Sequence, residues 1–132
     1  MTQKNLALLK ITLIIFAIVA LVYGVTYLFV PQIHVEASGS APVPSGWIRW
    51  FGPILVALGI GTIMVLRNPN KQGPFVKTLA IGTLLCGLTL IYSTFFESEG
   101  IGNMEQSLIP GIVLIVLSIM FWISLQQSKE LL

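Results

Sequence analysis

Between two apolar runs, Trp50–Leu66 and Val76–Phe96, lies a short polar turn, residues 67–75, that carries Arg67 and Lys71, with Lys77 just beyond it. A turn this short forces the two runs to lie side by side and antiparallel. Lys and Arg beside membrane spans are retained on the cytoplasmic side, so the pair predicts a membrane hairpin whose turn faces the cell interior. Orienting this hairpin orients the rest of the chain.

Two further runs fit the same reading. Ile11–Val30 holds no charged residue, and at 1.5 Å per residue it makes a helix about 30 Å long, the thickness of a bilayer's hydrocarbon core. A secretory signal has a shorter apolar region, roughly 7–15 residues, so this run predicts a retained span. Leu108–Leu125 supplies the fourth. Only 9% of the 132 residues are charged and 55% are hydrophobic, against about 25% charged in soluble domains. The predicted fold is all-α: one domain, a four-helix transmembrane bundle running up-down-up-down, with both termini cytoplasmic. Its spans cover about 11–30, 50–66, 76–96 and 108–125, its outer loops 31–47 and 97–107, and its inner loop 67–75.

The charge distribution supports that orientation. Lys4, Lys10, Arg67, Lys71, Lys77 and Lys129 fall on the predicted inner side, and Arg49 alone falls outside. Glu36, Glu97, Glu99 and Glu105 also fall outside, but acids carry little topological weight. The basic residues form no stripe interleaved with exposed aromatics, so a nucleic-acid partner is excluded.

Along the chain, Pro31 ends the first span, and Pro31–Gly46 reads as an irregular loop rich in Pro, Gly and Ser. Trp47 and Trp50 sit where an outer aromatic belt belongs, and Trp122 where an inner one does. Pro53 and Pro110 are both placed in the first turns of their helices, and Gln126–Leu132 reads as a short inner tail. Gly24-Val25-Thr26 is echoed by Gly87-Leu88-Thr89, and Pro53-Ile54-Leu55-Val56 by Pro110-Gly111-Ile112-Val113. The echo is open to two readings, a duplicated hairpin or shared demands of helix packing. Small residues at a spacing of four predict close helix contacts: Ala20 with Gly24, Ala57 with Gly61, and Thr83 with Gly87. Because it lacks such a pair, the fourth span is expected to be the most lipid-exposed helix or an oligomer seam.

Several chemistries are argued against. The spans hold no ionisable residue near their centres, where a charge costs at least ~2.5–3.5 kcal/mol and is kept for function, so ion-coupled transport is disfavoured. Cys86 is the one cysteine, which rules out an intramolecular disulfide and a C-x-x-C redox pair; it is expected to be a small core residue. The hydroxyls of Thr26, Thr62, Thr83, Thr89, Ser93 and Ser118 are expected to bond back to their own helices. His34 and Glu36 are too few for a metal centre and read as a solvated loop. No catalytic residue, cofactor or metal ligand is predicted.

What remains is the outer rim. Arg49, flanked by Trp47 and Trp50, admits three roles: an interfacial side chain snorkelling to water, an ion pair with Glu97, or a bidentate site for an anionic head group or carboxylate. Tyr23 and Tyr27, one helical turn apart, are candidates to face the same region. The start of the second span, with Arg49, Gly52 and Ala57-Leu58-Gly59, together with Pro31 ending the first, resembles the small four-span bacterial membrane proteins of unknown function that are loosely DoxX-like. The resemblance implies a layout and a location in the bacterial inner membrane, and no catalytic residue. The expected function is non-enzymatic: binding a membrane lipid, a small amphiphile or a membrane-protein partner, including a second copy, at the outer face through Arg49, Trp47, Trp50, Tyr23, Tyr27 and Glu97. Two other readings stand beside it, an accessory subunit of a quinone-linked membrane oxidoreductase and a facilitator for a neutral solute.

Overall fold

The structure, a computed structural model, describes residues 3–39, 46–96 and 105–132. Among these residues all regular structure is helical: α1 (Gln3–Phe29), α2 (Pro31–Ser38), α3 (Gly46–Arg49), α4 (Phe51–Arg67), α5 (Gly73–Phe96) and α6 (Glu105–Gln127). Three stretches are long and apolar enough to cross a membrane, Leu6–Phe29, Gly73–Phe96 and Ser107–Gln127, and Phe51–Arg67 is a shorter apolar helix. Trp50, between α3 and α4, keeps right-handed helical dihedrals (φ −66°, ψ −24°), so α4 is led in by a further turn. Large aliphatic side chains face outward on all four long helices, among them Ile18, Met64, Leu85 and Ile119. An outside this apolar is what a helix bundle shows to lipid.

Pro31 does end the first helix. Val30 leaves the helical region (φ −135°, ψ 54°), as a residue before proline tends to do. The stretch after it corrects the expectation of an irregular loop: Pro31–Ser38 is helical, with proline in the first turn and Gly39 beyond the end in the left-handed region (φ 66°), its N–H donating to the Glu36 carbonyl at 3.1 Å. That is the usual asymmetry of helix-starting proline and helix-ending glycine. The fourth long helix also begins earlier than expected, at Glu105, which puts Pro110 inside α6 rather than in its first turn.

α1 packs against α4 and α6, and α5 packs against α6, while the short 68–72 turn joins α4 to α5 and the Phe75 ring of α5 lies by Gly61 of α4. All four contribute to a core of Leu9, Leu13, Phe16, Ala20, Val65, Val76, Leu79, Ala80, Leu117 and Phe121, which lies toward the end carrying the 68–72 turn. Phe16 and Phe121 meet edge to face there, 5.8 Å between ring centres. The expected inner tail is docked onto that turn. The Lys71 N–H donates to the Leu131 carbonyl at 2.9 Å and the Gly73 N–H to that of Leu132 at 3.3 Å. Lys71 itself sits at φ 59°, a left-handed conformation that costs a side-chain-bearing residue about 1–2 kcal/mol.

The small residues that pack are partly different from those expected. Gly24 of α1 crosses Gly52 of α4: a Cβ built on Gly52 would lie 2.7 Å from both the Gly24 carbonyl oxygen and the Leu28 nitrogen. Gly59 is covered by Leu21, whereas Ala57 is exposed and Gly61 meets only the ring of Phe75. α6 is not the most lipid-exposed helix. It lies between α1 and α5, with Gly111 against Gly87 and the buried Ser118 hydroxyl donating to the Ala80 carbonyl of α5 at 2.8 Å. The expectation failed because one glycine and one serine, seven residues apart on a single face, do the work assigned to a four-residue spacing. Cys86, expected in the core, is exposed on α5, because the shared core lies toward the 68–72 turn, around Val76, Leu79 and Ala80, and Cys86 stands farther along the helix. Four of the other hydroxyls behave as expected, with Thr26, Thr62, Thr83 and Thr89 each donating to a carbonyl of the preceding turn.

The two halves of the chain bury many of the same positions. Leu13, Phe16, Ala17, Ala20 and Gly24 of α1 correspond at one constant offset to Val76, Leu79, Ala80, Thr83 and Gly87 of α5, and all ten are buried. At a second constant offset, the buried Gly52, Gly59, Thr62 and Val65 of α4 correspond to the buried Gly111, Ser118, Phe121 and Ser124 of α6. The crossings match as well, with Gly24–Gly52 flanked by Leu28 and Val56, and Gly87–Gly111 by Ile91 and Ile115. Each half is thus a hairpin with one crossing pattern.

Candidate functional site

At the end of α1 remote from the 68–72 turn, a ring cluster forms. Tyr23 and Tyr27, one turn apart, meet edge to face at 5.8 Å. Because Val30 breaks the helix, α2 folds back against α1 and sets the His34 ring on both tyrosines, stacked on Tyr23 at 5.5 Å and edge-on to Tyr27 at 4.4 Å. Tyr27 also lies 6.3 Å from Phe51 at the start of α4, and Phe51 lies 6.1 Å from Trp50. The close approach of α1 and α4 at Gly24 and Gly52 brings the Phe51 end of α4 up to Tyr27, so the same glycines that knit the hairpin also build the cluster.

Thr26 fastens the histidine. Its Oγ1 lies 2.6 Å from His34 Nε2 and 3.0 Å from the Tyr23 carbonyl oxygen. The hydroxyl has one proton, and the carbonyl accepts it, so Nε2–H donates to Thr26 Oγ1. In neutral His34 the acceptor left over is Nδ1. Partial burial among the rings holds the His34 pKa below its ordinary value of 6.5, because a partly desolvated imidazole resists charge.

Of the residues expected at the outer rim, Tyr23 and Tyr27 are brought together. Trp50, 58% exposed, stands on the cluster's outer edge, and Arg49, also exposed, lies two residues before Phe51 at the end of α3. Trp47 belongs to α3. Glu97 and the proposed Arg49–Glu97 pair lie outside the described residues, as does Glu99. His34, Thr26 and Phe51 were not expected at the site. The sequence signal reaches only part of the way to His34: proline followed eight residues later by glycine frames a short helix, while the return of that helix onto α1 is a tertiary contact. Among the described residues no group of three or more His, Cys, Asp or Glu side chains is placed to hold a metal.

The arrangement suits binding. The exposed Arg49 directly precedes Trp50 and Phe51 in the chain, and an imidazole stands among the rings, at one end of an apolar bundle. Aromatic rings with polar tips favour the water–lipid boundary. Comparisons of the chain with family models, with curated proteins and with solved structures find no match.

Proposed function

We propose that the chain is a small, non-enzymatic integral membrane protein of the bacterial inner membrane, crossing it four times with both ends cytoplasmic, and that it binds a lipid or small amphiphile at its outer face. The observation that carries this reading is the ring cluster of Tyr23, Tyr27, His34, Phe51 and Trp50, with the exposed Arg49 next to Trp50 in the chain, at the end opposite the basic turn. Arg67 and Lys71, with Lys129 on the docked final turn, are exposed at that other end, the distribution that the retention of basic residues on the cytoplasmic side requires. The layout accords with the DoxX-like resemblance of the second span. Arg49 recognises the head group, and Trp50 and Phe51 lie against the first part of the chain.

The test is native mass spectrometry of the protein released gently from its membrane, followed by the same measurement on Arg49→Ala. The expected result is a retained amphiphile in the wild type and its loss in the variant. Equal retention by the two removes the outer-face site. A second polypeptide in stoichiometric amount, in place of an amphiphile, would favour an accessory-subunit role, and a second copy of this chain would favour self-association.

A further inference from the structure

At the two offsets that relate the hairpins, the seam between α4 and α5 is the counterpart of the seam between α6 and α1. Rings fill the α1–α6 seam, with Phe16 on Phe121 at 5.8 Å. The counterparts of that pair are Leu79 and Thr62. Away from the 68–72 turn, the face of α1 that carries Phe16 continues with Val19 and Tyr23, and the matching face of α5 with Gly82 and Cys86. Every one of these replacements is smaller. Nearer the turn the exchange is balanced instead: Thr12 and Met120 are replaced by Phe75 and Gly61, and the Phe75 ring comes within 3.1 Å of a Cβ built on Gly61.

The seam accordingly closes at Gly61 and Phe75 and opens beyond them. Steps of seven and eleven residues return a helix of 3.6 residues per turn to nearly the same face. Taken away from the turn, such steps lead from Gly61 to Ile54 and Trp50, and from Phe75 to Gly82 and Cys86. Ile54 is 42% and Trp50 58% exposed, Cys86 is exposed, and a Cβ on Gly82 would find nothing within 4 Å. Two faces that touch at one end are thus both uncovered farther on, which makes an apolar groove. From the Gly61–Phe75 contact to the level of Trp50 and Cys86 it runs roughly 16 Å at 1.5 Å per residue, about half of the ~30 Å hydrocarbon core.

We propose that this groove holds one acyl chain of a bilayer lipid, from the leaflet remote from the 68–72 turn. Its α5 wall belongs to a stretch apolar and long enough to cross a membrane, its depth matches a single leaflet, and Phe75 on Gly61 blocks it midway. A helix of a second copy would have to run on past that block to cross the bilayer, whereas a lipid chain ends there. The chain supplies the dispersion contacts that rings supply in the α1–α6 seam, the kind of packing that holds helices together in lipid. The inference goes beyond the outer-face reading and needs no contact with Arg49.

The experiment places the full chain in phosphatidylcholine vesicles doped with phosphatidylcholine carrying a diazirine midway along one acyl chain. After irradiation, adducts are mapped by peptide mass spectrometry. Labelling around Ile54, Gly82 and Cys86 is expected to exceed, several-fold, labelling at Leu88, which is exposed on another face of α5. Gly82→Val and Cys86→Phe, made singly, restore bulk comparable to that of Val19 and Tyr23, and each is expected to bring groove labelling down to the Leu88 level. Leu88→Phe is expected to leave it unchanged. Even labelling of the wild type overturns the inference, as does groove labelling that survives both filling substitutions. Labelling of the groove below the Leu88 level would show that another polypeptide covers it, and overturns the lipid assignment. Arg49→Ala is expected to leave the groove labelled whether or not it removes the outer-face ligand, so the two readings fail separately; loss of groove labelling there would show that the head group holds the chain, and overturns the groove.

Discussion

Single glycines set the closest approaches in this bundle, and their substitutions separate real contacts from apparent ones. A Cβ on Gly52 would meet backbone atoms of two residues at 2.7 Å, and backbone cannot rotate aside. Gly52→Ala is expected to cost about 3 kcal/mol, the upper part of the range for overpacking, with its unfolding midpoint in a detergent titration moving accordingly. Gly87→Ala should cost less, because the nearest atoms there belong to the flexible Ile115 side chain. Gly82 has nothing within 4 Å of a built Cβ, so Gly82→Ala should fall within about 1 kcal/mol of wild type, on the stabilising side given alanine's better helix propensity. Should all three variants unfold alike, the crossing at Gly24 and Gly52 is not what holds the first hairpin. Ser118→Ala offers a smaller reading. It removes the hydroxyl bond to Ala80 across the helices, and inter-helix hydrogen bonds in membranes average about 0.6 kcal/mol.

At the scale of elements, what could be read from the sequence and what could not divide along a physical line. Helix existence was legible, because a long apolar stretch has to satisfy its own backbone polar groups and a helix is the local way to do so. Helix faces were not. α4 carries two small-residue stripes, Gly52 with Gly59 and Ala57 with Gly61, and only a neighbour decides between them; α1 took the first, and Ala57 remained exposed. The site was half legible for the same reason: Tyr23 and Tyr27 share a face by spacing alone, whereas His34 joins them only because α2 folds back. That docking of α2 is pH-sensitive. His34 is partly buried with a lowered pKa, so the docked helix favours the neutral ring. The stabilisation is intact above about pH 6.5, the unfolded value, and is lost as the pH falls through the lower folded value. In nanodiscs without anionic lipid, amide hydrogen exchange in residues 31–38, corrected for intrinsic rate, should be faster at pH 5.0 than at 7.5. His34→Phe should abolish the difference.

At the scale of the whole molecule, the crossing that matters most is α4, the one long helix too short to qualify as a span on its own. From Phe51 to Arg67 it reaches about 25 Å at 1.5 Å per residue, less than the ~30 Å of hydrocarbon. Two features make up the difference. α3 and the helical Trp50 extend the path outward from Phe51, and Arg67 at the other end has a side chain long enough to snorkel. A mismatch of a few ångströms then costs fractions of a kcal/mol per ångström, far below the cost of leaving the second helix of a hairpin out of the bilayer while its partner crosses. The two ends of α4 should accordingly lie on opposite sides. Gln32 on α2 and Lys71 in the turn, both exposed, report those sides. In a Cys86→Ala background, Gln32→Cys should react with a membrane-impermeant maleimide in right-side-out vesicles and Lys71→Cys only in inside-out ones. Labelling of both from one side would mean that α4 does not cross. The outer cluster and the basic turn would then face the same water, and Arg49 would lose its separation from the cytoplasmic cations, on which the outer-face site depends.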